Sequence, residues 1–416
     1  MTTSVELSVA ALSLDPGQSD AEAHTPPIAF EVKPFTIDLS TRATRMISLV
    51  KAAQLPDKPA FPGLGSTFGA DLDKMKELQS AWTTTFNWST QQEAMNKYPH
   101  FTAIIEGLTI HYIYQKSKNH GAIPLILIHG WPASFLQFLP LVEPLTTMGK
   151  TSTGASVSFD IVIPSLPGFA FSSPPPVKWT LQDTARIFDI LMTKVLGYKT
   201  HAVFGTDFGC VVGYSMYSKF PTNVRSASFD YIPFIALMPD QLTAEGIVLD
   251  DYGKFAIQIL VKTATTGIGY YYEQSTEPNT IGLALFDNPL GQLIWMGSKY
   301  LLWSDPRAGT NGSLVNTDNI LASISLYFLT ESFISATFTY AQNATSFGTV
   351  YTRAPTDAPM LFSSFKFNNQ YWPKEIISRV GNMVFYKEHD FGGHFPSLDN
   401  PTEFVDDLRE IRTFFK

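Results

Sequence analysis

Apolar positions along the chain follow two different periods. Short and almost wholly apolar runs predict strands that are covered on both faces of a parallel sheet. These runs are Leu125–Ile128, Asp160–Ile163, Ala202–Phe204, Ser226–Phe229, Met360–Phe362 and Met383–Tyr386. From Leu181 to Val195 apolar residues recur at spacings of three and four, which predicts an amphipathic helix with Gly197 just after its end. Strands that alternate with helices are typical of an α/β domain with a mostly parallel sheet.

The alternation stops between residues 231 and 345, where the pattern is mostly helical and rich in aromatic residues. An insertion that acts as a lid explains this better than a separate domain, because the final strands would otherwise lose their sheet. The sequence therefore predicts a flexible leader (1–29), an N-terminal meander (30–105), a core in two parts (106–230 and 346–416) and an inserted helical lid (231–345).

Composition narrows the class of protein. Of the 416 residues, 44% are hydrophobic and 16% are charged, so the chain can bury a large core. The net charge is −8 and no basic run would follow a phosphate backbone, which argues against nucleic-acid binding. Cys210 is the one cysteine, so no intrachain disulfide can form. We see no signal peptide and no transmembrane run, and we expect a soluble or cytoplasmic protein that could form a homodimer.

A sharp turn between a strand and a helix is the strongest local feature. Asp207 lies at its tip, flanked by Gly205 and Gly209, after the strand Ala202–Phe204 and before a helix predicted over Cys210–Tyr217. Such a turn needs small neighbours, and its tip side chain lies at the positive end of the helix dipole. A carboxylate is already ionised at pH 7 and attacks saturated carbon without a base. The turn therefore predicts a carboxylate nucleophile. The sequence contains no G-x-S-x-G string, which argues against an ordinary esterase.

Two further motifs complete a catalytic set. The loop of His129, Gly130, Trp131 and Pro132 follows the strand Leu125–Ile128, where an α/β-hydrolase supplies one oxyanion-hole N–H. The second N–H is expected from Phe208, next to the nucleophile. His394 follows two glycines after the last strand, and it is our candidate for the base that activates water. His389 competes with it, but we interpret His389 as structural.

These motifs resemble those of the microsomal-type epoxide hydrolases, a branch of the α/β-hydrolases, and in particular their soluble fungal members. The resemblance runs from about Pro34 to the C-terminus. Its other pieces are Tyr98–Phe101, Ile105–Leu108, Pro167–Phe169, Gln274–Pro278 and Gly392–Phe395. It implies an α/β-hydrolase fold with an N-terminal segment that wraps the core and a helical lid that contributes two tyrosines. By similarity these are Tyr270 and Tyr340, which would donate hydrogen bonds to the epoxide oxygen.

One position departs from the family pattern. Asn368 stands where the resemblance leads us to expect the acidic partner of His394, and an amide cannot stabilise an imidazolium as an anion does. Asp230 ends an earlier strand, at a position where related dehalogenases place their acid. We therefore predict an exchange in which Asp230 orients His394. The alternative is that Asp230 caps the entry to the lid and the relay is weakened.

Taken together, the residues and the resemblance predict an epoxide hydrolase that acts on a small apolar epoxide and water, without a metal or cofactor. Three alternatives remain open at this point. One is a biosynthetic enzyme of the cyclase or isomerase type, in which an internal nucleophile opens the epoxide. Another is haloalkane dehalogenation, against which the paired tyrosines argue because halide leaves without a proton. The third is a ligand-binding relative that lacks catalysis.

Overall fold

A nine-stranded sheet organises residues 30–310 and 312–415, the part of the chain that the computed structural model describes. The predicted leader over residues 1–29 lies outside these residues. Two short strands, β5 and β6, pair separately from the sheet. The strands are β1 Val32–Phe35, β2 His100–Ile105, β3 Leu108–Gln115, β4 Ile123–Ile128, β5 Gly149–Lys150, β6 Ser156–Val157, β7 Phe159–Pro164, β8 His201–Gly205, β9 Val224–Phe229, β10 Pro359–Phe367 and β11 Asn382–Gly393.

The order of strands in the large sheet is β1-β2-β3-β7-β4-β8-β9-β10-β11. The six strands from β7 to β11 in this order are parallel to their neighbours, and β1, β2 and β3 add an antiparallel edge. All six predicted strands lie in the parallel part, which confirms the mostly parallel α/β sheet. All six are longer than predicted, and β10 and β11 gain the most because polar pairs such as Ser363 with Lys387 continue the pairing.

Helices cover the sheet and fill the insertion. The predicted helix from Leu181 is confirmed: it continues as a π-helical turn, Leu191–Val195, and Gly197 follows with φ of +77°. Further short turns are Phe135–Phe138, Thr263–Gly267 and Leu293–Gly297. The α-helices are α1 Ser40–Ala52, α2 Leu72–Thr84, α3 Trp88–Met95, α4 Leu139–Thr146, α5 Leu181–Ile190, α6 Phe208–Lys219, α7 Pro239–Ala244, α8 Asp251–Lys262, α9 Gly269–Thr276, α10 Pro278–Leu285, α11 Pro289–Gln292, α12 Ser298–Leu302, α13 Thr317–Leu329, α14 Phe333–Gln342, α15 Lys374–Val380, α16 Pro396–Asp399, α17 Pro401–Arg409 and α18 Ile411–Phe414.

Helices α7 to α14 all lie between β9 and β10, and β10 returns to pair with β9. The two ends of this insertion are joined by backbone hydrogen bonds. The amide of Ile235 donates to the carbonyl of Gly348 (2.9 Å), and the amide of Gly348 donates to the carbonyl of Pro233 (2.9 Å). These bonds hold the two ends of the insertion together, next to the end of β9.

The N-terminal segment also packs against this insertion. Helices α1 and α2 pack on α13. The indole N–H of Trp82 donates to the hydroxyl of Ser325 (3.1 Å), and the guanidinium of Arg42 donates to the carbonyl of Leu329 (2.9 Å). Within residues 30–310 and 312–415, no single helix has the length and apolar character to cross a membrane. Helices α13 and α14, bent by 88° relative to each other, meet that test only as a pair.

The parallel strands place their carboxyl ends at one edge of the sheet, where ligands bind in α/β folds. Trp131 follows β4, Asp207 follows β8, and Asp230 follows β9. Asn368 and His394 directly follow β10 and β11. The topology therefore gathers side chains that are far apart in sequence.

Candidate active site

The turn at Asp207 has the strained backbone that its sequence predicts. Asp207 has φ of +49° and ψ of −126°, and α6 begins at the next residue. A Cβ on Gly205 would lie 2.2 Å from the carbonyl oxygen of Gly209, and one on Gly209 would lie 2.0 Å from that of Ile128. A Cβ on Gly130 would lie 2.3 Å from Asp207 Oδ1. Three glycines thus leave the space that the turn and its carboxylate need.

The two oxygens of the Asp207 carboxylate have different surroundings. Oδ1 accepts hydrogen bonds from the backbone N–H groups of Trp131 (2.9 Å) and Phe208 (2.7 Å). Oδ2 lies 3.5 Å from Nε2 of His394. The Asp207 side chain is 15% exposed, so the carboxylate is not fully buried. One oxygen is fixed in a two-donor pocket and the other faces the imidazole.

The loop that supplies the first donor is anchored by His129. This imidazole is fully buried, with Nδ1 3.1 Å from the carbonyl oxygen of Gly130 and Nε2 accepting from the amide of Leu166 (3.1 Å). Burial lowers the pKa of His129 to about 4, so the ring is neutral at pH 7. A neutral ring can donate at Nδ1 and accept at Nε2, and this keeps the Trp131 amide in place.

Nδ1 of His394 lies 3.0 Å from Oδ1 of Asn368. The Asn368 amide nitrogen donates to the backbone carbonyl of Asp230 (3.2 Å), which can only accept, so Oδ1 must be the atom that faces the imidazole. Nδ1 of His394 therefore carries the hydrogen, and Nε2 presents a lone pair towards Asp207.

The predicted contact between the Asp230 carboxylate and His394 is absent, and that prediction has to be corrected. Neither carboxyl oxygen of Asp230 has a hydrogen-bond partner among the described residues. Burial is the largest cause that raises the pKa of Asp230 well above its usual range, and the nearby Thr206 hydroxyl opposes the shift. The physical reason lies in the strand order: β10, which Asn368 directly follows, is the neighbour of β11, whereas β9 is one strand further from His394.

His389, the competing histidine, lies between two carboxylates. Its Nδ1 is 2.6 Å from Glu403 and its Nε2 is 2.5 Å from Asp407. Both ring nitrogens are occupied and the side chain is buried. His389 is therefore a structural residue with no nitrogen free to activate water.

The two lid tyrosines lie above the oxyanion loop. Tyr270 in α9 stacks on Trp131 (ring centroids 5.2 Å apart, 8° between planes), and Tyr340 in α14 meets the same indole edge-on at 5.5 Å. Burial raises the pKa of both phenols, and the negative charge of Asp207 adds to the shift. Both hydroxyls therefore stay protonated at neutral pH and can donate hydrogen bonds.

The three consecutive tyrosines can now be distinguished. The Tyr271 hydroxyl donates to the carbonyl of Ala344 (3.2 Å), and Tyr272 is 62% exposed. The Tyr270 ring, by contrast, stacks on Trp131 of the oxyanion loop, and the charge of Asp207 contributes to the raised pKa of its hydroxyl. Of the three, Tyr270 is the one whose surroundings fit a donor over Asp207.

Two aromatic residues that the sequence did not single out enclose His394. The Trp303 ring centroid is 5.1 Å from the imidazole, and the Tyr231 ring centroid is 5.6 Å from it. The backbone carbonyl of Trp303 also accepts from the His394 amide (2.8 Å). Tyr231 follows Asp230 at a strand end, which was an available signal. Trp303 lies in no motif, so only the packing of the lid identifies it.

Comparisons with known proteins agree on one family. Residues 32–138 match the family described as the epoxide hydrolase N terminus, and residues 123–300 match the alpha/beta hydrolase fold. A protein of Stigmatella aurantiaca that carries the epoxide hydrolase name is 31% identical over 344 residues, covering 82% of this chain and 76% of its own.

Two solved structures extend the likeness to the fold. The epoxide hydrolase of Aspergillus niger is 30% identical, covers 92% of this chain and 96% of its own, and superposes with a TM-score of 0.78. The juvenile hormone epoxide hydrolase of Bombyx mori is 25% identical, with coverage of 92% and 94% and a TM-score of 0.77. Both likenesses span the sheet, the insertion and the N-terminal segment together.

Proposed function

This chain belongs to the epoxide hydrolases of the α/β-hydrolase fold, and we propose that it converts an apolar epoxide to a vicinal diol through a covalent ester on Asp207. The observation that carries this mechanism is the unequal pair of oxygens on Asp207. Oδ1 accepts from two backbone N–H groups, while Oδ2 has no backbone donor among the described residues and faces His394. This arrangement is expected of a carboxylate in which Oδ2 attacks the substrate and Oδ1 later carries the negative charge in the two-donor pocket.

Ring opening uses the nucleophile and the lid. Oδ2 of Asp207 attacks a ring carbon, and the bond between that carbon and the epoxide oxygen breaks. Tyr270 and Tyr340 donate to the departing oxygen, and a proton passes to it from one phenol, which later regains a proton from solvent. The raised pKa of both phenols supports this role, because both hydroxyls keep their protons until the departing oxygen accepts one in the transition state.

Hydrolysis of the ester uses His394. Its Nε2 takes a proton from water while the water oxygen bonds to Cγ of Asp207, and negative charge develops on Oδ1 in the two-donor pocket. The ester bond then breaks, and the diol oxygen receives the proton from the imidazolium. Asp207 is left as a carboxylic acid and gives its proton to solvent, which balances the proton that the phenol takes up. The Asn368 contact supports this role, because it leaves the lone pair on the nitrogen that faces Asp207.

The aromatic rings that pack around the oxyanion loop and His394 support an apolar substrate. They belong to Trp131, Phe208, Tyr231, Trp303 and Tyr340. Such a lining favours hydrocarbon next to the reacting carbon and offers polar contacts at few points. A homodimer and a cytoplasmic location stay predictions from the sequence.

A single turnover in oxygen-18 water tests the ester. With enzyme in excess, the first diol should contain unlabelled oxygen from Asp207, and the label should appear in the peptide that contains this residue. In His394→Gln the reaction should stop at the ester, and the same peptide should gain the mass of the substrate. Labelled oxygen in the first diol would mean that water attacks the epoxide directly.

A second activity is favoured by the amide beside His394. Because Asn368 brings no negative charge, hydrolysis has less support than with a carboxylate, and a hydroxyl of the substrate could open the ring instead. Asp207 would then accept the proton of that hydroxyl as a carbon–oxygen bond forms and the epoxide carbon–oxygen bond breaks. An epoxy alcohol would give a cyclic ether without solvent oxygen, whereas hydrolysis would give a triol that contains it after repeated turnover.

A further inference from the structure

Lys299 is a lid residue without a role in the reaction steps proposed above. It lies in α12, and its Nζ is 5.2 Å from the centroid of the Tyr270 ring and 5.9 Å from that of Trp303. Among the described residues, no carboxylate forms an ion pair with it and no acceptor takes a hydrogen bond from it. The ammonium is therefore held against aromatic faces.

We propose that Lys299 is a positioning residue for ring opening, whose positive charge over the Tyr270 ring strengthens hydrogen-bond donation from that phenol to the epoxide oxygen. The inference rests on the proposed function and adds a residue to its first step. A cation over an aromatic face is attracted to the π electrons and withdraws density from the ring. A phenol that loses density is a stronger donor, and negative charge that develops at its oxygen is better stabilised.

The surroundings of Tyr270 show why such help matters. Burial and the anionic Asp207 both disfavour negative charge on the phenol. Trp131 stacks on the Tyr270 ring and is itself neutral. Among these neighbours Lys299 alone brings a charge of the sign that favours proton donation.

A role in folding alone does not account for the charge. The Lys299 side chain is half-buried, and an ammonium that loses part of its hydration without an anionic partner costs stability, whereas an apolar side chain of the same length would pack against the two rings at lower cost. Burial lowers the pKa of Lys299 to about 8 because the loss of hydration disfavours the charged form. The cation is present at neutral pH and is lost in moderately alkaline solution.

Other titratable groups near the cluster must be separated from Lys299. They are Tyr270, Tyr271, Tyr340, Asp207 and His394. The pKa values of Tyr270 and Tyr340 are raised further above neutral pH, and His394 acts only after the ester has formed. A rate measured for ester formation between pH 7 and 9 therefore isolates the titration of Lys299.

The experiment measures ester formation by rapid quench in a single turnover with styrene oxide as the probe. Lys299→Met should lower the rate constant by about tenfold, the order expected for a desolvated cation–π interaction, whereas Lys299→Arg should restore it. Between pH 7 and 9 the wild-type rate should fall towards that of Lys299→Met, while Lys299→Arg should stay constant. The matched control is Lys254→Met, which changes an exposed lid lysine paired with Asp251 and should have no effect.

A double-mutant cycle decides whether the effect passes through the phenol. In a Tyr270→Phe background, Lys299→Met should cause no further loss. An equal loss with and without the phenol would overturn the inference, and so would an unchanged rate in Lys299→Met. If the wild type forms no ester at all, the proposed function fails and this inference with it. An ester that forms at the same rate in every lysine variant refutes only the role of Lys299.

Discussion

The relay behind His394 can be tested by removing its two candidate partners one at a time. Asn368→Ala and Asp230→Ala are a matched pair, because both residues are buried, both follow a strand of the same sheet, and both lose a side chain of similar size. They differ in one respect: Asn368 accepts from the imidazole, and the Asp230 carboxyl contacts no donor with hydrogen-bond geometry.

The structure sets the size of the expected difference. Asn368→Ala leaves the Nδ1–H of His394 buried without an acceptor, which costs about 1–3 kcal/mol and frees the ring to take the wrong tautomer. Hydrolysis of the ester should therefore slow by roughly 10- to 100-fold. Asp230→Ala removes no contact to the imidazole, and we expect hydrolysis to change by less than about threefold.

Rapid-quench kinetics separate the two chemical steps of each variant. Ester formation should keep its wild-type rate in Asn368→Ala, because a carboxylate nucleophile needs no base, and the ester should accumulate. Circular dichroism and thermal melting serve as controls for the fold. A larger loss of hydrolysis in Asp230→Ala than in Asn368→Ala would refute the relay that we derive, as would a loss confined to ester formation.

Three further changes have definite outcomes. Asp207→Asn keeps Oδ1 for the two backbone donors but removes the charged nucleophile, so mass spectrometry should detect no ester while the melting temperature stays near that of the wild type. Gly205→Ala should lower the free energy of unfolding, measured with urea, by more than about 3 kcal/mol, since its Cβ would lie 2.2 Å from a backbone oxygen. Gly269→Ala is the control and should be neutral, because its Cβ would meet nothing within 4 Å. Burial lowers the pKa of His201 to about 3, so the unfolded chain binds more protons below pH 6.5 and the free energy of unfolding falls as the pH drops. His201→Phe should reduce that slope by about 1 kcal/mol per pH unit between pH 6 and 4, and an unchanged slope would contradict the assignment.

The parts of this protein that could be predicted are those whose physical cause is local in sequence. The central runs of the parallel strands are mostly apolar because both faces of the sheet are covered, as in β4, where all six residues are buried. The turn at Asp207 needs glycines on both sides because a backbone oxygen lies within 2.2 Å of each missing Cβ, and that need is visible as Gly205 and Gly209. Both features belong to a few consecutive residues.

The partner of His394 could not be predicted in the same way. Asp230 and Asn368 both follow a strand of the sheet, and residue type alone favoured the acid. The choice depends on which strand lies beside β11, and no local pattern encodes that order. Lys299 and Trp303 were missed for a related reason: each contacts a ring that is far away in sequence, Tyr270 in the case of Lys299 and His394 in the case of Trp303.

An amide in the relay changes the two chemical steps unequally. Asn368 fixes the tautomer of His394, because its own amide nitrogen is committed to a carbonyl oxygen, but it adds no negative charge to oppose the imidazolium. Asp230 does not supply that charge to the imidazole, since neither of its carboxyl oxygens has a hydrogen-bond partner among the described residues. Ring opening depends on Asp207 and the lid, and hydrolysis depends on His394, so only the second step loses support. We therefore expect the ester on Asp207 to be the species that accumulates during turnover.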